Sequence, residues 1–245
     1  MSEWSLEHDG FCLLKRAIDQ SVIVELIGTM GNAFSQESNS VRAKSDRGNV
    51  YAVRNVTELV PAVRTIWKTP TLCEFLSTHL GDRCGLVRVL FFDKPPEQSW
   101  NLGWHKDKAI AVKDNRLASA FVSRPSLKAG VPHLIAGDEI LLRMLTLRIH
   151  LDEVTDENGP LMVVPGSHLS RTCEGEGTEN AVTIYADPGD ILAMRPLVSH
   201  ASDRSTEGTK RHRRVLHLEF AADPSLPDGI EWNEFHPMRN PAPVS

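Results

Sequence analysis

His105 and Asp107 stand two positions apart in the stretch SWNLGWHKDKAIAV, residues 99–112. On an extended backbone such residues point to the same face, so an imidazole and a carboxylate are aimed at one point. The pair can hold a divalent metal, or it can be an ordinary ion pair on a sheet. His200, in AMRPLVSHAS, offers a third ligand behind the strand-like DILAM and its Asp-Pro-Gly-Asp turn at 187–190. Two imidazoles and one carboxylate on one face of an iron leave three coordination positions open. The same trio on zinc would give a tetrahedral site with one open position. Arg213 opens a further strand-like run, RRVLHLEF (213–220). Its planar fork pairs bidentately with a carboxylate, which suits the far end of a dicarboxylic cosubstrate. Arg211 is the alternative, and KRHRR (210–214) also reads as a basic surface turn.

Such side chains need rigid elements beneath them. After Gly85 the chain supplies LVRVLFF, LTLRIHL, LMVVP, VTIYA, DILAM and RVLHLEF, short and rich in β-branched and aliphatic residues, with Gly, Pro, Asn and Asp between them. The spacing leaves no room for a helix between successive strands, which excludes a doubly wound parallel sheet and predicts an antiparallel barrel or jelly roll. In LTLRIHL, Thr146, Arg148 and His150 share one face; in RRVLHLEF, Arg213, His217 and Glu219 do. Two strands with polar groups on one side predict a ligand-filled interior, where Arg148 either meets a ligand or pairs with Glu219. Thr146 and Lys94 are further candidates for that interior, although Lys94 can also snorkel to solvent.

The first 85 residues read as mostly helical and packed outside the barrel. AIDQSVIVELIGTMGNAF carries apolar residues at helical spacing, with Asp19 or Ser21 as cap. TELVPAVRTIWKTPTLCEFLSTHLG reads as two short helices broken near Pro70 and closed by Gly81. Lys113–Gly137 shows no periodicity and is predicted to be an irregular lid loop. Asn158–Gly159 reads as a tight turn, His168 in PGSH as turn structure, and Trp100 and Trp104 as core or pocket wall. Residues 221–245 form a tail.

With 245 residues, 41% hydrophobic and 24% charged, the chain can form one large domain around a full core. A net charge of −5 gives no reason to expect a nucleic-acid or anionic-membrane partner. The four cysteines (Cys12, Cys73, Cys84, Cys173) lack close pairing and read as free thiols, and no apolar leader or membrane span is evident. The expectation is a cytoplasmic protein, monomeric or homodimeric, acting on a small molecule.

The ordered set WHKD, DENGPLMVVPGSH (156–168), GDILAMRPLVSHAS (189–202) and RRVLHLEF, with DGFCLLKRAI, FFDKPP and LTLRIHLDEV, resembles the phytanoyl-CoA dioxygenase family. The resemblance covers most of the chain. It implies a double-stranded β-helix, mainly β with flanking α, using Fe(II), 2-oxoglutarate and O2. It implies that His105, Asp107 and His200 ligate iron, that Arg213 pairs with the distal carboxylate of 2-oxoglutarate, and that Ser202 assists. The retained Asp107 argues for hydroxylation, since related halogenases replace that carboxylate by a small residue. Lys106 stands where the family usually has glutamine and should face away from the metal. The interval from His200 to the arginines is slightly longer than usual; counting from the strand selects Arg213, counting from the histidine selects Arg211. The alternatives are a cupin-type zinc protein with the same ligands and a non-catalytic binding member of the family.

Overall fold

The computed structural model describes residues 4–37, 40–46, 49–96, 99–170 and 175–239. The chain opens with β1 (Phe11–Leu14), α1 (Gln20–Ser35), the hairpin β2 (Ala43–Asp46) and β3 (Asn49–Val53), α2 (Val56–Leu59) and α3 (Pro70–Leu80). Next come β4 (Gly85–Phe92), β5 (Leu102–His105), β6 (Ala109–Ala111), β7 (Val122–Lys128), β8 (Val131–Ala136), the one-turn α4 (Asp138–Leu141) and β9 (Met144–His150). The remaining strands are β10 (Leu161–Val163), β11 (Val182–Ile184), β12 (Ile191–Met194), β13 (His200–Ser202), β14 (Val215–Ala221) and β15 (His236–Pro237).

All the strand pairs are antiparallel. An eight-stranded sheet runs β1-β12-β9-β14-β4-β3-β2 with β15 also on β4, and a four-stranded sheet runs β11-β10-β13-β5. These are the two halves of the jelly roll. Residues 1–85 also hold three strands that the sequence reading did not separate from the helical part: β1 forms one edge of the large sheet, and β2 and β3 extend the other. These strands are only four or five residues long, too short for a pattern to separate them from loop.

Alternation along the central strands sorts the two faces. Leu145, Leu147 and Ile149 of β9, Leu216, Leu218 and Phe220 of β14, and Ile191 and Ala193 of β12 pack with the helices in one core. From the helices come Ile23, Leu26, Met30 and Phe34 of α1 and Leu72 and Leu76 of α3, each an apolar stripe at helical spacing. The α3 start is fixed by Thr69, whose side chain accepts from the Leu72 N–H at 3.3 Å, with Pro70 in the first turn. The opposite phase of the same strands, Arg148, His217 and Glu219, faces inward. All seven residues of β9 and of β14 are buried, so the polar phase is enclosed between sheets rather than turned to solvent.

A smaller core, Phe11, Leu161, Val163, Ile184, Leu192, Met194 and Val198, joins the β1–β12 edge of the large sheet to β10 and β11 of the small one. The 187–190 turn ties strands together there: Asp190 accepts Lys15 Nζ at 2.7 Å, Arg16 N at 2.8 Å and Asp187 N at 2.9 Å. Gly189 has φ 90°, and a Cβ there would lie 2.3 Å from the Ile18 carbonyl oxygen.

Residues 113–137 are not the irregular loop the sequence predicts. They hold the hairpin β7–β8, which with β6 makes a three-stranded sheet. The turn between Lys128 and Val131 has φ 53° at Ala129 and 78° at Gly130, the positive pair that a two-residue hairpin requires. A bulge between Ser123 and Ser126 and exposed polar residues blur the alternation, which hides the strand period from the sequence. Cys12, Cys73 and Cys84 are free thiols, and Cys173 lies outside the described residues. Among the described residues no helix is long and apolar enough to cross a membrane.

Leu147, 0% exposed in the helix-facing core, gives a direct test of this packing. Leu147→Ala should lower unfolding free energy by about 2–5 kcal/mol in a urea titration; a loss well under 1 kcal/mol would contradict the outer-face core.

Candidate metal centre and its cavity

β5 and β13 are register partners, with His105 opposite His200. The rings lie 4.2 Å apart between centroids. His105 Nδ1 donates to the Gly103 carbonyl at 2.8 Å and His200 Nδ1 donates to the Val198 carbonyl at 3.0 Å. Since a carbonyl only accepts, each ring carries its proton on Nδ1 and leaves the Nε2 lone pair free. Asp107 follows β5 rather than belonging to it, yet its carboxylate lies 3.8 Å from His105 Nε2 and 3.6 Å from His200 Nε2. Ligand atoms of the three residues all fall within 4.8 Å of one another. Asp107 Oδ2 is buried and has no hydrogen-bond partner.

The electrostatics suit a cation. Burial alone would raise the Asp107 carboxyl, but His200, His217, His105 and Arg148 outweigh it and hold the group well below the usual carboxylate range. Burial pushes His200 down to about 4, with His105 and Arg148 adding to the effect against Asp107, so the ring is neutral at pH 7. A carboxylate and two imidazoles that turn Nε2 towards it form a ready divalent-metal donor set.

The backbone holds these ligands firmly. Asp107 N donates to Pro196 O at 2.9 Å. Lys106 points away from the cluster, as expected, and its amine donates to Ser167 O at 3.0 Å and Ser170 O at 3.2 Å. Ser167 Oγ accepts the Ser199 N–H at 2.9 Å. The PGSH turn therefore pins both ligand-bearing segments.

A cavity of about 460 Å³ opens beside the trio. His105, Asp107, His200, Ser202, Arg148 and Arg213 all line it, with Tyr51 and Trp100 among its walls. Arg213 is 5% exposed, and among the described residues its side chain has no hydrogen-bond or ion-pair partner; its Nε is an orphaned buried donor. Asp93, the carboxylate nearest in influence, is engaged by His212 Nδ1 at 2.9 Å. Arg148 donates to His217 Nδ1 at 3.2 Å and leaves its Nε unpartnered. Burial, then Arg148, push the Arg213 guanidinium down to about 9, still charged at neutral pH. Two adjacent buried cations with orphaned donors describe a receptor for an anion such as a carboxylate.

Arg211 lies outside this cavity, on the surface, bonded to Glu153 at 2.6 Å and near Glu157 at 3.4 Å. Glu219 is not paired with Arg148: it binds Arg88 bidentately at 2.5 and 2.9 Å. Lys94 does not snorkel. It is 0% exposed, donates to Ser202 Oγ at 3.0 Å and to the Asp203 carbonyl, and burial followed by Arg213 pushes it down to about 7. Neither Lys94 nor Thr146 lines the cavity; Thr146 sits between Met194 and Glu219 in the sheet. Trp104 is not among the lining residues either.

Sequence reasoning missed Arg88 and Arg54, both lining the cavity. Arg88 interrupts an apolar strand just as Arg148 does, so the same signal was present. Asn158, read from the sequence only as part of a tight turn, is 0% exposed and donates to Glu153 O at 2.8 Å and His212 O at 3.0 Å. Asn158 thereby tethers the long segment that delivers Arg213.

A curated relative, the ectoine dioxygenase of Sphingopyxis alaskensis (strain DSM 13593 / LMG 18877 / RB2256), is 22% identical over 178 residues, 70% of this chain and 51% of that protein. The chain thus spans about half the length of the curated relative it matches. Among solved structures, EctD from S. alaskensis with 2-oxoglutarate and 5-hydroxyectoine aligns with a TM-score of 0.67 at 18% identity, over 90% of this chain and 79% of that one. The non-heme alpha ketoglutarate dependent epimerase SnoN from nogalamycin biosynthesis aligns with a TM-score of 0.67 at 17% identity, over 98% and 95%. These likenesses establish a shared fold. The family match is more specific, because phytanoyl-CoA dioxygenase (PhyH) matches residues 6–213 and so takes in all three metal-ligand candidates and Arg213. This chain belongs to the phytanoyl-CoA dioxygenase family.

Proposed function

We propose that the protein is an Fe(II)- and 2-oxoglutarate-dependent oxygenase that hydroxylates a C–H bond of a small molecule. The carrying observation is one cavity lined by two chemically distinct sets of groups: the His105–Asp107–His200 donor set, and beside it the partnerless guanidinium of Arg213 with Arg148. A zinc site needs the first and has no use for the second. With iron and 2-oxoglutarate bound, the chemistry supplied is oxidation by O2: one oxygen atom enters the C–H bond, the other leaves in succinate, and CO2 is released.

The chain's own residues then have separable tasks. His105 and His200 present Nε2, and Asp107 presents one carboxylate oxygen. Arg213 and Arg148 neutralise the distal carboxylate of the cosubstrate. Lys94, through Ser202, braces the wall next to them. Tyr51 and Trp100, 5.0 Å apart between ring centroids, offer apolar faces to a substrate. The β7–β8 hairpin, whose tip accepts from Asn55 at the Ala129 carbonyl at 3.4 Å, is the segment we assign to close over the cavity and exclude water during turnover.

Fe(II) binding, followed anaerobically by calorimetry, should fall at least about 100-fold in His105→Ala or His200→Ala with the circular dichroism spectrum preserved; unaltered affinity would remove the trio as the metal centre. For Arg213→Ala the apparent KM for 2-oxoglutarate should rise roughly 10- to 150-fold, the loss of a charge-assisted hydrogen bond. Arg211→Ala should leave it unchanged, and the reverse pattern would transfer the role to Arg211. Loading with Fe(II) and 2-oxoglutarate should slow tryptic cleavage after Lys128 if the hairpin is the cover; identical digestion rates would argue against it.

A further inference from the structure

We infer that the substrate carries a carboxylate or phosphate group that docks on Arg54 at the end of the cavity away from Arg213. This inference rests on the oxygenase reading above and narrows its substrate class.

Arg54 follows β3, where Ala52 pairs with Phe92 and Val53 with Phe91. Val53 and Phe91 belong to the helix-facing core, so the next position falls in the cavity phase, and Arg54 lines the cavity with Arg88, Leu90 and Phe92. Half-buried there, its side chain has no hydrogen-bond or ion-pair partner among the described residues. The one carboxylate that influences it on this side, Glu219, is already spent on Arg88, with His217 Nε2 at 3.2 Å on the same oxygen. Burial and the neighbouring Arg88 both act against the Arg54 charge.

A second cation stands on the neighbouring β7–β8 hairpin, outside the cavity lining. Lys128 is half-buried, feels Arg54 and Arg88 as repulsive neighbours, and its side chain also lacks a partner among the described residues. His133, on the same hairpin, is 2% exposed with Nε2 unpartnered; burial pushes it down to about 4, so it adds no charge. The outer cavity therefore holds more positive charge than the chain neutralises, in a protein of net charge −5. Iron and 2-oxoglutarate do not relieve this, because the negative charges of the dianion and Asp107 are fully offset by the divalent metal with Arg148 and Arg213 at the inner end, leaving none for Arg54. A desolvated guanidinium is held at this cost where an anion completes it, and its fork takes a carboxylate or phosphate oxygen pair.

The test uses phenylacetate, phenylacetamide and phenyl phosphate as probes, titrated calorimetrically under nitrogen into protein loaded with Fe(II) and 2-oxoglutarate, and repeated with Fe(II) alone. The 2-oxoglutarate titration itself checks the oxygenase reading. Its failure would sink that reading, whereas the Fe(II)-only arm still reports on Arg54. Phenylacetate or phenyl phosphate should bind at least about tenfold tighter than phenylacetamide; the tighter of the two names the anion. Arg54→Gln should erase the difference between acid and amide while leaving 2-oxoglutarate affinity unchanged, and Arg54→Lys should restore part of it. Equal binding of acid and amide, no binding of either anion, or an Arg54→Gln protein that still prefers the anion would overturn the assignment.

Discussion

The structure depends on burying Arg148 and Arg213 side by side inside a closed barrel without supplying an anion for them. An unpaired buried charge costs several kcal/mol, and here two like charges share the cost. The offset comes from the other face of the same strands, where Leu145, Leu147, Ile149, Leu216, Leu218 and Phe220 pack against the helices, each fully buried side chain contributing about 1.5–3 kcal/mol. Alternation thus lets one strand hold the hydrophobic core together with one face and prepare an anion site with the other. It follows that cosubstrate binding and folding stability are linked, because an anion bound to the native state alone raises its stability with concentration.

The metal donor set shows how a local device becomes a site only in context. His105, His200 and His133 each donate Nδ1 to the carbonyl two residues earlier, at 2.8, 3.0 and 2.9 Å. All three rings are thereby fixed with Nε2 free. At His133 that nitrogen faces no carboxylate and stays an isolated buried acceptor. At β5 and β13 the register brings two such rings together, and Asp107 supplies the negative charge that a cation needs. The carboxylate, rather than the imidazole geometry, separates the candidate metal centre from an ordinary buried histidine.

Much of this was legible in the sequence where the period was regular. Strands β4, β9, β10, β11, β12 and β14 follow the runs of apolar residues, and the inward phase of Arg148, His217 and Glu219 could be counted directly. The partner of Glu219 could not. A register shift in the β4–β14 pairing, where Glu219 meets Arg88 and Phe220 meets Leu86, sets which residues face each other, so the Arg88–Glu219 pair emerges only from the paired structure even though Arg88 stands out within its apolar strand. Arg54 left no periodic trace because β3 ends just before it. The β7–β8 hairpin escaped for a related reason: its bulge breaks the alternation, and its turn uses Ala129 rather than a Gly or Asn at the first left-handed position.

The placement of that hairpin raises a mechanical question, since it lies on the same segment as Asp107. The proposed cover, if it moved as one body with Asp107, would disturb the candidate metal ligand only a few residues away. The hydrogen bonds on either side of Asp107 divide the two roles. Lys106 is tied to Ser167 and Ser170, and Asp107 N to Pro196, so the ligand is anchored to the small-sheet side of the barrel. The hairpin is anchored separately, through Ala136 N to the Lys108 carbonyl at 2.9 Å and through β6 on β8. Motion of the tip around Ala129 is then taken up in β7 and β8, beyond Lys108, and need not reach the carboxylate. The same arrangement sets Lys128 on the proposed cover and Arg54 at the end of β3, so an anion bridging them would tie the hairpin to the sheet as it binds.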